Sequence, residues 1–167
     1  LDRLEPGSPL YNIPAAIHVE GDLDVAGLGL AFEEVVRRHE VLRTVFREKE
    51  GRTVQIALPA APFRLGVADL AGLPEAVREA EVRRLETEEA RRPFDLQSDL
   101  MLRARILRLG DRGHALLFTL HHIASDGWSA PLLLGEVTEL YAARGEGRPA
   151  RLPDLPEGDS ALIRVAA

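Results

Sequence analysis

The chain has 167 residues, 46% of them hydrophobic and 29% charged, a globular balance that argues against wholesale disorder and suits one domain or part of a larger one. It has no cysteine, which excludes disulfides, zinc–thiolate and iron–sulfur ligation and a thiol nucleophile, and fits a reducing, cytoplasmic setting. A formal net charge of −6 with arginines spread along the chain disfavours nucleic acid, and no apolar run is long enough to span a membrane.

Residues 1–14 hold three prolines and a glycine and read as an irregular lead-in. The start shows no methionine and no basic-then-apolar leader, so the sequence reads as a fragment or a processed chain. Residues 13–20, with Ile17 and Val19, predict a strand closed by Gly21-Asp22. Asp24 predicts a helix N-cap, and Leu28, Ala31, Phe32, Val35 and Val36 follow at helical spacing. Gly27 and Gly29 inside this helix each cost up to about 1 kcal/mol against alanine, so packing must offset them.

Residues 42–47 and 53–58 flank a charged, glycine-containing link and predict a hairpin. A short strand is expected over 63–68. Residues 74–92 predict a charged helix that buries Val77, Ala80, Val82 and Leu85, stopped by Pro93. Two strands follow, over 101–109 and 114–122. A last helix, capped by Asp126 or Ser129, carries Leu133, Val137, Leu140 and Tyr141. Residues 149–156 are proline-rich and read as a linker, and 157–167 stay unassigned. Interleaved strands and helices, with both hairpins and crossovers, predict an α/β two-layer sandwich with a mixed sheet.

The stretch with most chemistry is His121-His122-Ile123-Ala124-Ser125-Asp126-Gly127-Trp128-Ser129, where an apolar strand meets a helix. Strand ends of this kind are where α/β folds place working groups. If the strand runs through His122, that imidazole shares a side with Leu116, Phe118 and Leu120, and His121 points away. Both histidines could be structural. A metal site from His121, His122 and Asp126 is opposed by those divergent directions and by the lack of further ligands. A serine nucleophile at Ser125, served by His122 and Asp126, lacks a G-x-S-x-G elbow and has three members crowded into five residues.

The segment HHIASDGWS resembles the HHxxxDG signature of condensation domains of nonribosomal peptide synthetases. Residues 38–46, RHEVLRTVF, resemble the RHExLRTxF motif of the same family. Residues 8–14, SPLYNIP, and 92–96, RPFDL, agree more weakly and lie in family order. HHxxxDG is shared with wax-ester synthases and other acyltransferases, so the second motif and the Trp128-Ser129 extension add specificity. The resemblance implies a chloramphenicol acetyltransferase-like fold of two lobes around a tunnel. Residues 1–148 would be the N-terminal lobe, with 149–167 a linker and tail. The opening motif, the YxDFAVW-like segment and the second lobe of that family have no counterpart in this sequence.

The resemblance further implies amide formation between a donor acyl or peptidyl thioester and an aminoacyl acceptor. Both would arrive on phosphopantetheine arms of carrier domains, with no directly bound cofactor and no metal. By motif position His122 is the functional histidine, as proton acceptor for the amine or its positioner. Asp126 is expected as an anchor paired with Arg43, with catalysis its second reading. Gly127 meets a backbone requirement near His122, and His121 is structural. His39 is expected at a helix C-terminus. His18 and His114 receive no role, and no substrate-binding residue is assigned. The motif lacks the DxxxxD exchange of cyclising relatives and best matches the group joining an L-configured donor to an L-configured acceptor. A stand-alone acyltransferase using acyl-coenzyme A and an alcohol, and a non-catalytic lobe with an exposed apolar face, are the alternatives.

Overall fold

The computed structural model describes residues 8–125 and 130–155. A 3-10 turn at Pro9–Tyr11 leads into β1, Asn12–Glu20. Helix α1, Val25–Arg38, starts as its sequence demands, with Asp24 Oδ1 accepting the Gly27 N–H at 2.9 Å. A side chain at Gly27 would put its Cβ 2.9 Å from the Asp24 Cγ, so this glycine makes room for the cap. The cost of a helical glycine is therefore set against a satisfied N-terminus.

After a 3-10 turn at Glu40–Arg43 come β2, Thr44–Lys49, and β3, Arg52–Ala57. They form a two-stranded sheet of their own rather than joining the main one. The connection is tighter than the expected five-residue link: only Glu50 and Gly51 lie between the paired ends, both left-handed, at φ 53° and 73°. β4, Gly66–Asp69, starts later than expected, so Phe63 and Leu65 precede it and pack on the core as loop residues. Helix α2, Glu75–Arg91, is followed by β5, Leu102–Arg108, β6, Gly113–His121, and helix α3, Ala130–Gly145.

The main sheet has the order β1-β6-β5-β4. β4 runs parallel to β5 and the other neighbours are antiparallel, so the sheet is mixed as expected. The strand period of two sorts the central residues onto two faces. Leu116, Phe118 and Leu120 of β6 join Leu102, Ala104 and Ile106 of β5 against Phe32, Val35 and Leu133 of α1 and α3. Ala115, Leu117 and Leu107 face the other way and meet Leu85 of α2. With helices on both faces, β6 is buried on both sides, from His114 to His121, which explains why its residues are apolar apart from His114, Thr119 and His121.

Helix α2 corrects one expectation. Only Leu85 is buried and Val82 is half-buried, while Val77 and Ala80 are exposed. The helix is mostly charged and meets the sheet through Leu85, with Val82 packed beside it. Its exposed face is laced by Arg84, which bonds Glu81 and Glu88. The proline-rich segment is pinned through residue 153: the Arg151 N–H donates to Glu139 Oε1 of α3 at 2.7 Å, and the Pro153 carbonyl accepts from Arg38. Among the described residues no helix is long and apolar enough to cross a membrane.

Candidate active site

Strand β6 ends at His121, one residue sooner than a strand through His122 requires. His122–Ala124 forms a single 3-10 turn instead. The two histidines therefore part company through a turn. His121 continues the side of β6 that holds Leu117 and Thr119 and is buried, 4% exposed. His122 opens the turn and is exposed.

The seat of His121 is made by distant segments. Its Cα stands opposite Asn12 in the β1–β6 register, and its ring lies 6.1 Å from the Tyr11 ring. Phe94 makes a T-shaped contact with the same ring at 5.4 Å. The His121 N–H donates to the Met101 carbonyl at 3.0 Å, and the Met101 N–H donates to the Leu42 carbonyl at 2.8 Å. Its Nδ1 accepts the Ile123 N–H at 3.2 Å, capping the turn that carries His122. Residues of two other motif segments, Tyr11 with Asn12 and Phe94, thus meet the buried His121, and Met101 links its backbone to Leu42 of a third.

Pro93 ends α2 by removing an N–H, which leaves carbonyls at the helix C-terminus in need of donors. Asn12 Nδ2 donates to the carbonyls of Ala90 and Arg92, both at 2.8 Å. Arg103 of β5 donates to the carbonyls of Arg92 at 2.6 Å and Pro93 at 2.9 Å. Its guanidinium carbon lies 3.8 Å above the centre of the Phe94 ring. Burial, helped by the nearby Arg92 cation, holds the Arg103 pKa below the usual arginine value. The cation works here as a geometric clamp on the strand-to-helix joint and on Phe94.

Arg43 has a 14% exposed side chain. One terminal nitrogen donates to the Leu58 carbonyl and the other lies 3.2 Å from Glu40 Oε1. Its Nε is buried with no hydrogen-bond partner among the described residues. The expected partner, Asp126, lies outside the described residues, as do Gly127, Trp128 and Ser129. The expected α3 caps, Asp126 and Ser129, fall in that same stretch.

His39 is the C-cap of α1, at the helix end where it was expected, and is fully buried. Sequence reading missed its partner: Nε2 lies 2.9 Å from Glu136 Oε2, and Arg38 Nε approaches the same oxygen at 3.5 Å. The signal was available, because Glu136 interrupts the apolar stripe of α3 and a buried acid demands a cation or donor. Asn12 and Arg103 were missed as well. Ser125, which the sequence offers as a candidate nucleophile, places Oγ 3.1 Å from His122 Nδ1 and 2.8 Å from the His122 carbonyl oxygen. An open hollow of about 390 Å³ beside Arg103, Gly66 and Phe63 includes none of His121, His122 or Arg43 in its lining. Among the described residues no cluster of three or more potential metal ligands is gathered.

A mixed sheet with helices on both faces, whose buried central strand ends in a 3-10 turn carrying an exposed histidine, is an α/β lobe of the chloramphenicol acetyltransferase-like fold. Residues 1–157 match the condensation-domain family, and the chain belongs to it. It is 40% identical over 156 residues to a linear gramicidin synthase polypeptide of Brevibacillus parabrevis, covering 93% of this chain and 2% of that protein. It is 44% identical over 155 residues to phosphinothricin tripeptide synthetase PhsB of Streptomyces viridochromogenes, covering 93% of this chain and 13% of the relative. The first condensation domain of the calcium-dependent antibiotic synthetase, solved with a substrate analogue, superposes with a TM-score of 0.81 at 26% identity. That match covers 95% of this chain and 38% of the solved one. The chain thus spans a small part of its curated relatives and well under half of a solved condensation domain.

Proposed function

We propose that this chain supplies the histidine-bearing lobe of a condensation domain. The domain joins a donor acyl or peptidyl thioester to the amine of an aminoacyl thioester. Both substrates are delivered on phosphopantetheine arms of carrier domains, in the cytoplasm, and a second lobe supplies the other wall of the tunnel. The observation that supports this most is the exposed His122 on a 3-10 turn whose cap, His121, is seated against Asn12 and Phe94 of two other motif segments.

In the reaction the amine nitrogen attacks the thioester carbonyl carbon. A C–N bond forms, the C–S bond breaks, the nitrogen gives up a proton and the departing sulfur takes one. His122 serves the nitrogen, by accepting its proton or by holding its lone pair on line. Because the amine attacks the thioester directly, no protein nucleophile is needed. His121 acts as the seat of the turn. By motif position Asp126 would pair with Arg43 as a brace behind it, and Gly127 would leave the passage clear. Arg43 is half prepared for that role, since its buried Nε is still without a partner among the described residues.

The test is amide formation between two carrier-bound aminoacyl groups by the full-length polypeptide that carries this segment, with the product read by mass spectrometry. His122→Ala is expected to abolish product while leaving the fold intact, because the side chain is exposed. Undiminished product from that variant would remove His122 from the mechanism. The 167-residue chain alone is expected to form none, since one lobe gives the acceptor channel one wall.

A further inference from the structure

Ser125 meets His122 twice, and the two contacts together fix where the protons are. Its Oγ stands 2.8 Å from the His122 carbonyl oxygen and 3.1 Å from Nδ1 of the same residue's ring. A hydroxyl has one proton to give and a carbonyl oxygen has none. Two oxygens 2.8 Å apart attract each other only with a proton between them. The Oγ proton is therefore committed to the carbonyl, and Oγ can face Nδ1 only as an acceptor. Nδ1 must then carry a hydrogen.

We propose that Ser125 is a positioning residue that holds neutral His122 in its Nδ1–H tautomer and so leaves the lone pair on Nε2. The inference rests on the reading of His122 as the group that serves the amine, and it states which nitrogen does so. The backbone supports the arrangement: the Ser125 N–H donates to the same carbonyl at 2.9 Å, closing the 3-10 turn and anchoring the serine. The carbonyl's two lone pairs are both taken, one by each Ser125 donor. The neighbouring ring is set the opposite way. His121 Nδ1 accepts the Ile123 N–H, so in the neutral ring its proton sits on Nε2. One hydroxyl and one backbone amide thus give two adjacent imidazoles opposite tautomers. The same count disposes of Ser125 as a nucleophile, because Nδ1 gives a proton to Oγ and cannot take one from it.

Long-range proton–nitrogen correlation spectra of the chain labelled with ¹⁵N-histidine test this directly. They are recorded where His122 is neutral, and its signals are identified by their loss in His122→Ala. Nδ1 is expected to resonate as the protonated nitrogen and Nε2 as the bare one. Ser125→Ala is expected to shift the ring toward the Nε2–H form, and Ser125→Thr to keep the native pattern. A bare Nδ1 in the wild-type chain, or a Ser125→Ala spectrum identical to wild type, overturns the proposal. In the full-length polypeptide Ser125→Ala should lower kcat several-fold with acceptor KM unchanged, and Ser125→Thr should restore it; no loss, or loss without rescue, counts against it. Retained amide formation in His122→Ala would sink the functional reading while leaving the tautomer result standing, so the two failures are separable.

Discussion

Replacing Arg103 by methionine tests the idea that the end of α2 and the seat of His121 are one structure. The arginine side chain is 13% exposed and gives two charge-assisted hydrogen bonds to helix-end carbonyls, at 2.6 and 2.9 Å. Bonds of this kind contribute about 1.5–3 kcal/mol each, and the stacked Phe94 adds roughly 0.5–1 kcal/mol. Against this stands the desolvation that depresses the Arg103 pKa. Methionine refills much of the volume without the charge, so a net loss of about 2 kcal/mol is expected. Urea unfolding should show a lower midpoint at unchanged slope. Arg103→Lys should lose nearly as much, because an ammonium cannot span both carbonyls in one plane or stack on the ring as guanidinium does. Asn12→Ala should couple to Arg103→Met rather than add to it, since both side chains donate to the Arg92 carbonyl. A stability change under about 0.5 kcal/mol for Arg103→Met, or strict additivity with Asn12→Ala, would refute the clamp.

Further outcomes follow from single contacts. His121→Ala removes a buried ring that caps the turn and should cost about 2–3 kcal/mol in urea titration, in contrast to the exposed His122→Ala, which should unfold within about 0.5 kcal/mol of wild type. Glu50→Asn should raise stability by roughly 0.5–1 kcal/mol, because Asn-Gly accepts the left-handed turn that glutamate adopts only under strain; an unchanged midpoint would show the strain is absent. Glu139 has its pKa lowered from 4.5 to about 2, first by Arg148 and then by the Arg151 N–H. A carboxylate depressed by folding stabilises above its unfolded pKa and stops doing so as pH falls through the folded one. Protection of the Arg151 amide from hydrogen exchange should accordingly decline between about pH 4.5 and 2, and Glu139→Gln should remove that dependence.

The sequence alone carried what depends on neighbours. The Asp24 cap, the apolar stripe of α1, the Pro93 stop and the largely apolar β6 are local patterns, and each appears in the fold. The four motif segments were also legible, and with them the family. What only the tertiary structure decided lies across long chain separations. Periodicity could not say that α2 leaves Val77 and Ala80 in water, because that depends on which neighbours cover the helix. Nor could it say that β2 and β3 stand apart from the main sheet, since strand pairing is a choice among edges. The partners of Asn12, Arg103, His39 and Glu136 lie between 10 and 98 residues away, and nothing local marks which side chain a turn will bring near. His122 shows the division most plainly: its place in the motif is written in the chain, but its exposure comes from β6 giving way one residue early to a turn. Ser125 closes that turn and His121 caps it from a pocket made by the rest of the fold.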